Sequence, residues 1–186
     1  MNKVRKIAVK KILSLGILTL CGFTLVACGG NDKESTTQTS ATVEKKESGV
    51  YFKDDTLKID MATVKILSTE VLPADTSLYR DKPQLALTYE VTNDSDEPLS
   101  ASTVWIACME LTQEGENTIN KLTVGMTPQD ERFSEYTEHQ MDDIKPGGTV
   151  KAIISYDLDD TDTPVVLKAT QGMAGKELGE KTINLK

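Results

Sequence analysis

The sequence predicts an all-β domain over residues 50–186, folded as an antiparallel β-sandwich of about seven strands. Three observations predict this fold class. Short segments alternate apolar and polar residues with a period of two, as strands with one buried face do. Clusters of Gly, Pro, Asn and Asp separate these segments and are typical of turns. The 137 residues of this region are enough for one domain with one hydrophobic core.

The first strands follow from this alternation. Apolar residues occupy every second position up to Met61 and then continue one residue out of phase, which predicts a bulge or bend near 62–63. The next strand alternates without interruption, so we expect one buried face and one face in solvent. The inward positions of this part are Leu57, Ile59, Met61, Val64, Ile66, Leu85, Leu87, Tyr89 and Val91.

Residues 104–111 are apolar on both faces up to Glu110, which predicts a central strand that carries Trp105. We expect Cys108 in this run to be a small buried hydrophobic residue, because a reactive thiol needs a partly exposed, electropositive surrounding. Four further alternating segments predict the remaining strands, and they comprise residues 122–126, 150–158, 165–169 and 183–185.

Turn-forming residues separate these strands. The Pro-Gly pair within 145–148 suits a type II turn, because proline fixes its own φ and glycine supplies the positive φ that follows. One short helix is predicted where Thr127 provides an N-cap, Pro128 the first helical position and acidic residues the first turn. This helix would place Phe133 and Tyr136 on one face.

Residues 1–27 have the layout of a secretory signal peptide, with a basic start, an apolar run over 12–27 and small residues at its end. The run of about 16 residues is shorter than the roughly 20 that cross a hydrocarbon core. A retained transmembrane anchor is therefore the less favoured alternative. The basic residues of the start are Lys3, Arg5, Lys6, Lys10 and Lys11.

The end of this segment, Leu25, Val26, Ala27 and Cys28, resembles the lipobox of a bacterial lipoprotein signal. The resemblance implies that Cys28 receives a diacylglyceryl group and becomes the mature N-terminus on the outer face of the cytoplasmic membrane. Two acyl chains make a stable anchor, whereas one chain holds only marginally. A polar linker over 28–49 follows, and we expect a disordered tether because it has little apolar surface to bury. Such a tether has an r.m.s. span of about 25 Å and a taut limit of about 70 Å.

Charge and cysteine content exclude several classes of function. Removing the five positive charges of the leader from the net charge of −8 leaves −13 for the mature chain. Such an acidic protein is a poor candidate for binding nucleic acid, whose phosphates need Lys and Arg, or for lying flat on anionic lipid. Cys21 leaves with the leader and lipid takes Cys28, so Cys108 has no partner for an intrachain disulfide.

Segments 89–98, 144–150, 156–160 and 163–165 resemble the strand-and-turn signature of an uncharacterised domain, known only as one of unknown function. That domain occurs behind lipoprotein signals in Gram-positive bacteria, and its relatives include immunoglobulin-like secreted antigens of the telokin-like sandwich type. The resemblance implies an immunoglobulin-like β-sandwich over the predicted domain and implies no catalytic residue. The missing cysteine pair excludes a disulfide-pinned core, although Trp105 on a central strand would fill a similar place.

Motifs for catalysis or metal binding are absent from the sequence. His139, the only histidine, lies in a very polar segment, and we expect a solvated loop residue there. No nucleophile elbow, zinc-protease motif or phosphate-binding loop occurs. One acidic loop starts like a calcium loop, but its sixth position is not glycine and its twelfth, Lys168, is not glutamate. We expect a solvated turn, with an irregular metal site as the alternative, whose carboxylates would be Asp157, Asp159, Asp160 and Asp162.

These observations predict a membrane-anchored, non-catalytic binding module whose partner is an unidentified envelope protein or glycan, with no cofactor and no nucleic acid. A sheet face or a loop end would bind, since loops on a rigid scaffold commonly carry function. Two alternatives stay open: a cell-wall enzyme that uses paired carboxylates, and an accessory ligand-binding lipoprotein of a transporter. A deep pocket lined by acids would favour the enzyme, and a flat apolar patch would favour the binding module.

Overall fold

The structure is a computed structural model that describes residues 49–186. These residues form eleven strands and two α-helices, which confirms the predicted antiparallel all-β sandwich. There are more strands than the seven predicted because several have only two or three residues. The strands are β1 (Tyr51–Lys53), β2 (Thr56–Lys58), β3 (Ala62–Leu72), β4 (Gln84–Asn93), β5 (Leu99–Ser100), β6 (Met109–Glu114), β7 (Ile119–Lys121), β8 (Asp143–Ile144), β9 (Thr149–Asp157), β10 (Val165–Thr170) and β11 (Glu177–Ile183), and the helices are α1 (Ala101–Cys108) and α2 (Ser134–Thr137).

Two antiparallel sheets make the sandwich. Sheet 1 has five strands in the order β1-β2-β3-β4-β9, and sheet 2 has four in the order β11-β10-β6-β7. Strands β5 and β8 form a separate pair. The inner faces of both sheets enclose one hydrophobic core, whose large fully buried side chains include Leu57, Leu85, Leu87, Tyr89, Trp105, Leu111, Leu158 and Leu167.

The first strands differ from the prediction. Residues 59–61 form a tight turn between β2 and β3, closed by a backbone hydrogen bond of 2.9 Å. Of the two predicted alternatives, a bulge or a bend, the change of phase therefore marks a bend, which is the hairpin turn at 59–61. Met61 is 53% exposed and not an inward residue as predicted. The bulge lies farther along β3, where the register against β4 shifts between Ile66 and Ser68.

The predicted central strand over 104–111 is wrong, because helix α1 ends at Cys108 and β6 begins only at Met109. The chain crosses from sheet 1 to sheet 2 at this point, and a helix fills the gap between the two sheets better than a strand would. The buried residues of α1 have the i, i+3, i+4, i+7 spacing of a helix with one face on a core, and they are Ala101, Val104, Trp105 and Cys108.

The predicted strand over 122–126 is also different, because this segment changes sheets. The Leu122 amide donates to Leu111 O of β6 at 2.9 Å, whereas Val124 bridges to Tyr156 of β9. Chains that switch sheets in this way form the corners of sandwiches. The segment therefore seals the edge of the sandwich next to α1.

The predicted helix starts later than Thr127. The Ser155 hydroxyl donates to Met126 O at 2.6 Å and holds that part of the chain along β9, so helical structure begins only with the 3-10 turn Glu131–Phe133. We call residues 122–137 the strap. The predicted shared face is confirmed by a small apolar cluster on the outer face of sheet 1, which contains Phe133, Tyr136, Leu72, Ala86 and Ile153.

The last predicted strand, at 183–185, lies earlier in the chain, as β11 over 177–183. It is an edge strand of sheet 2, and β1 of sheet 1 contacts it. Phe52 packs on Gly179, where an added Cβ would lie 3.4 Å from the Phe52 ring. Lys181 Nζ lies 2.5 Å from a carboxylate oxygen of Asp55. These contacts close the edge of the sandwich opposite α1.

Asn93 joins two of the segments that carry the family resemblance. Its buried side-chain amide donates to the carbonyl oxygens of Glu97 and Ile144, both at 2.8 Å. Its side-chain oxygen accepts from the amide and the hydroxyl of Ser95. Gly147 has a φ of 74°, as the predicted type II turn requires. The resembling residues therefore hold turns together, and none of these contacts suggests catalysis.

Candidate functional site

The two ends of the sandwich are defined by strand pairing. Lys186 lies at one of them, which we call the far end, and its ammonium nitrogen is 2.7 Å from Asp162. The chain reaches β1 at the opposite end, which we call the entry end, because Tyr51 pairs with Lys58 just before the 59–61 turn. Helix α1 and the turns at 59–61, 94–98, 145–148 and 171–176 lie at the entry end, and the loops at 73–83, 115–118 and 158–164 lie at the far end.

The buried face of α1 is fixed by Trp105, which is fully buried. Its ring centroid is 4.4 Å from that of Tyr89, and its indole nitrogen donates to Tyr156 Oη at 3.0 Å. Burial raises the pKa of the Tyr156 phenol, so it stays neutral. Cys108 is buried as predicted, and burial raises the pKa of its thiol. This face is structural.

The exposed face of α1 has a different character. Thr103 and Ile106 point to solvent, and Ile106 is 57% exposed. Residues 98–109 contain no charged side chain, in a protein in which 27% of residues are charged. A helix that is apolar all round is normally buried on all sides. The core explains the apolar residues on the inner side of α1, but it does not explain Ile106.

Two grooves flank α1 and share Ala107 and Cys108 as a common wall. One has a volume of about 490 Å³, and Ile106, Val124 and Met173 stand along it. The other has a volume of about 260 Å³ and a largely apolar lining that consists of Ile59, Asp60, Met61, Leu99, Thr103, Val104, Gln171 and Gly172, besides the shared wall. The helix therefore lies between two shallow grooves, of which the smaller is largely apolar and the larger also has Glu110, Lys121 and Lys168 in its lining.

Two exposed methionines extend this apolar region onto the neighbouring turns. Met61 is 53% exposed and Met173 is 85% exposed. Methionine is flexible and polarisable, so it adapts to the shape of a partner. We call the exposed side chains of this region the α1 surface, and they are Met61, Thr103, Ile106, Val124 and Met173.

The charged residues that line the larger groove are paired, whereas Asp60 is the charged residue of the smaller groove. Glu110 forms an ion pair with Lys121, and Lys168 lies 3.3 Å from Glu177. Exposed pairs of this kind contribute little to stability. They leave an apolar floor with a polar rim, which is the general layout of a protein–protein contact.

The four aspartates predicted as a weak metal site each have a separate partner. Asp157 accepts from the Gln84 amide, and Asp159 accepts from Asn120. Asp160 accepts from the amides of Thr163 and Asp162, and these bonds lower the pKa of its carboxyl. Asp162 pairs with Lys186. Within residues 49–186 no three acidic, histidine or cysteine side chains are grouped as metal ligands would be.

His139 is exposed in a loop, as predicted. Its ring nitrogen lies 2.9 Å from an Asp142 carboxylate oxygen, and this hydrogen bond, aided by the charge of Glu138, raises the pKa of the imidazole. Trp105 is fully buried, so it offers no surface on which a sugar could stack.

Several carboxylates do line a groove of about 310 Å³ between β1 and β11, namely Asp54, Asp55 and Glu180. Asp54 and Asp55 have φ angles of 49° and 61° and form the two-residue turn of the β1–β2 hairpin. A turn with two positive φ angles favours Asn, Asp and Gly. The local turn geometry therefore accounts for two of the three acids.

The lipobox residues Leu25, Val26 and Ala27, the lipidation candidate Cys28 and the tether lie outside the described residues. No helix within 49–186 is long and apolar enough to cross a membrane.

The α1 surface is absent from the expectations drawn from the sequence. The apolar run over 104–109 looked like a buried strand, so its exposed positions could not be recognised. The available signal is the uncharged stretch over 98–109, which is unusually long for so charged a protein.

Comparison with known proteins places the chain in a family of unknown function. A candidate lipoprotein from Staphylococcus aureus subsp. aureus NCTC 8325 has a similar structure, with a TM-score of 0.65 and 27% identity, over 74% of this chain and 92% of that chain. A protein from Enterococcus faecalis has a similar fold, with a TM-score of 0.59 and 18% identity, over 75% of this chain and 95% of that chain. Curated proteins give no significant match. Residues 34–171 match the family described as "Domain of unknown function (DUF5067)", so the chain belongs to this family.

Proposed function

We propose that this protein is a lipid-anchored, non-catalytic binding module on the outer face of the cytoplasmic membrane, and that its α1 surface binds a protein of the cell envelope. The lipobox ending in Cys28 supports the anchor. The similarity to a candidate lipoprotein of Staphylococcus aureus supports the same location.

The observation that carries the binding function is the exposed, uncharged face of α1 between two apolar grooves. Contiguous exposed apolar regions with a polar rim are uncommon on monomeric proteins, and they often mark interaction sites. A protein is favoured over a glycan as partner of the α1 surface, because this surface has no exposed aromatic ring on which a sugar could stack. The single tryptophan is in the core, and Tyr79, which is 72% exposed, lies in the 73–83 loop at the far end. The adaptable methionines at 61 and 173 suit an apolar protein segment.

Site-specific photo-cross-linking in living cells tests this function. A diazirine-bearing amino acid replaces Ile106 in one variant and Ile119 in a control variant. Ile119 is 68% exposed, but it lies on β7 at the far end. We expect one reproducible protein adduct from position 106 and none of the same identity from position 119. The control separates the α1 surface from general exposure of an isoleucine.

A companion variant, Ile106→Ser, tests whether the contact is apolar. The same partner should disappear from chemical cross-links of this variant, while the protein keeps its melting temperature. Equal capture from positions 106 and 119, or no adduct from position 106, would refute the proposed function. A glycan adduct at position 106 would refute the choice of a protein partner.

A further inference from the structure

We infer that the partner of the α1 surface is an apolar extracellular segment of a protein embedded in the same membrane. This inference rests on the proposed function and names the class of its partner. It follows from where the chain enters the sandwich, from the length of the preceding linker and from the shape of the α1 surface.

The chain enters the sandwich at the end that carries Met61 and Met173 of the α1 surface, whereas Val124 lies farther along the sandwich, where it bridges to Tyr156. Tyr51 begins β1 beside Lys58, next to the turn that exposes Met61. The chain therefore leaves Cys28, the proposed anchor, and arrives beside the apolar residues. The far end, with Lys186, lies about 35 Å away, since the eleven residues of β3 span the sheet at about 3.3 Å each.

The linker length makes a membrane-embedded partner accessible. Twenty residues lie between Cys28 and Gly49. A flexible chain of that length has an r.m.s. span of about 25 Å, which is shorter than the sandwich itself. The anchor therefore holds the entry end closest to the membrane, and it supplies an effective concentration of roughly millimolar for sites nearby. A small interface is then enough for stable binding.

The shape of the α1 surface favours a protein segment over the lipid bilayer. The grooves on both sides of α1 can accept side chains of a protein segment, and the exposed Met61, Ile106 and Met173 can pack around that segment. The acidic chain is also repelled by anionic lipid. The paired rim charges Glu110 and Lys121 beside an apolar floor fit a peptide with an apolar side chain and polar neighbours.

Two anchor geometries test the inference, with the diazirine residue at position 106 in both. In the first, the linker between Cys28 and Gly49 is shortened to six residues, about 20 Å when taut. In the second, a secretory signal without a lipobox precedes the domain, and a membrane-spanning segment follows Lys186 through six residues. Both variants should melt at the same temperature in detergent, which shows that the domain is intact.

We expect the first geometry to keep the adduct and the second to lose it about tenfold or more, because the second holds the α1 surface a whole sandwich length from the membrane. The captured protein should have membrane-spanning segments, and the cross-linked peptide should lie outside the membrane. Equal adducts in both geometries, a soluble or wall-bound partner, or lipid adducts would overturn the inference while leaving an α1 interaction in place. Loss of every adduct in the native geometry would instead overturn the proposed function.

Discussion

Two connections join the sheets at the same edge of the sandwich, and their solvent-facing surfaces differ in charge. Helix α1 leads from sheet 1 to sheet 2, and the strap over 122–137 leads back. The outer surface of the strap carries charged side chains that form ion pairs with sheet 1. Arg132 holds Glu70 at 2.8 Å, and Lys151 holds Glu135 at 2.8 Å. The outer surface of α1 has no charged side chain, and Ile106 on it is 57% exposed.

This difference separates structural residues from candidates for function. The ion pairs of Arg132 and Glu135 fasten the strap to sheet 1, so folding accounts for these charged residues. Val124 and Met126 of the strap are nevertheless 45% and 55% exposed, and Val124 belongs to the α1 surface. The inner residues of α1 are explained by the core in the same way. The outer residue Ile106 is 57% exposed beside the two grooves, and this is the observation on which we base the proposed contact with a partner.

The largest expected effect comes from breaking the inner face of α1. Trp105→Ala should lower the free energy of unfolding by about 4 kcal/mol, because it removes a fully buried ring that contacts Tyr89 and leaves a cavity between the sheets. Urea unfolding followed by circular dichroism measures the change. A loss below 1 kcal/mol would mean that α1 does not close the core.

Removing a buried ring from the strap should lower the free energy of unfolding by less than removing Trp105 does. Phe133→Ala removes a buried ring from the small cluster on the outer face of sheet 1 and should lower the free energy of unfolding by about 3 kcal/mol. The cluster lies at the surface and can partly collapse onto Tyr136, so the loss should stay below that of Trp105→Ala. Urea unfolding of both variants side by side checks the order, and a reversed order would contradict the division into core and strap.

Sequence patterns predicted the sheets well and these two connections poorly. The period-two pattern of β4 predicted its inward residues correctly, since Leu85, Leu87, Tyr89 and Val91 lie in the core. The prediction that its other face lies in solvent is wrong, because Ala86 and Thr88 are also buried, and Phe133 of the strap packs against Ala86 on that face. The run that became α1 contains Val, Trp and Ile, which favour strands, and it is apolar at nearly every position, so helical periodicity is masked. The spacing of Ala101, Val104, Trp105 and Cys108 becomes visible only when the crossing between sheets is known.

The candidate site was harder to predict for a related reason. A binding residue such as Ile106 differs from a core residue only by being exposed, and exposure depends on long-range topology. The aspartates at 157–162 were visible in the sequence because acidic clusters stand out, yet local turns and partners account for each of them. Chemistry-bearing residues were therefore easier to notice than the apolar residues on which we base the proposed function.

A smaller effect should follow from the polar contact beneath α1. Tyr156→Phe leaves the buried Trp105 indole nitrogen without an acceptor and should lower the free energy of unfolding by about 1–2 kcal/mol. The variant keeps the ring and its packing, so the change reports the hydrogen bond. Thermal unfolding compared with the wild type is the measurement, and an unchanged stability would show that Trp105 finds another acceptor.

The strap should weaken in acid, whereas the exposed face of α1 has no group that titrates. The hydrogen bond from Lys151, aided by one from Tyr136, lowers the pKa of the Glu135 carboxyl below its usual 4.5. A carboxyl whose pKa is lower in the folded than in the unfolded protein stabilises the folded state at pH values above its unfolded-state pKa. This stabilisation is lost as the pH falls through the folded-state pKa. Wild type should therefore melt slightly above Glu135→Gln at pH 6, and the gap should close by about pH 3. A gap that widens in acid would contradict this sign.

The smallest change in stability should accompany the largest change in binding. Ile106→Ser replaces an exposed residue by one of similar helix propensity, so the free energy of unfolding should stay within about 0.5 kcal/mol of wild type. Ile119→Ser at the far end is the matched control, since Ile119 is equally apolar and 68% exposed. Both variants should therefore unfold like the wild type, and only the change at 106 should abolish capture of the envelope partner. If Ile106→Ser instead destabilises the domain by about 1 kcal/mol or more, then Ile106 contributes to folding. The difference between the two connections would then disappear.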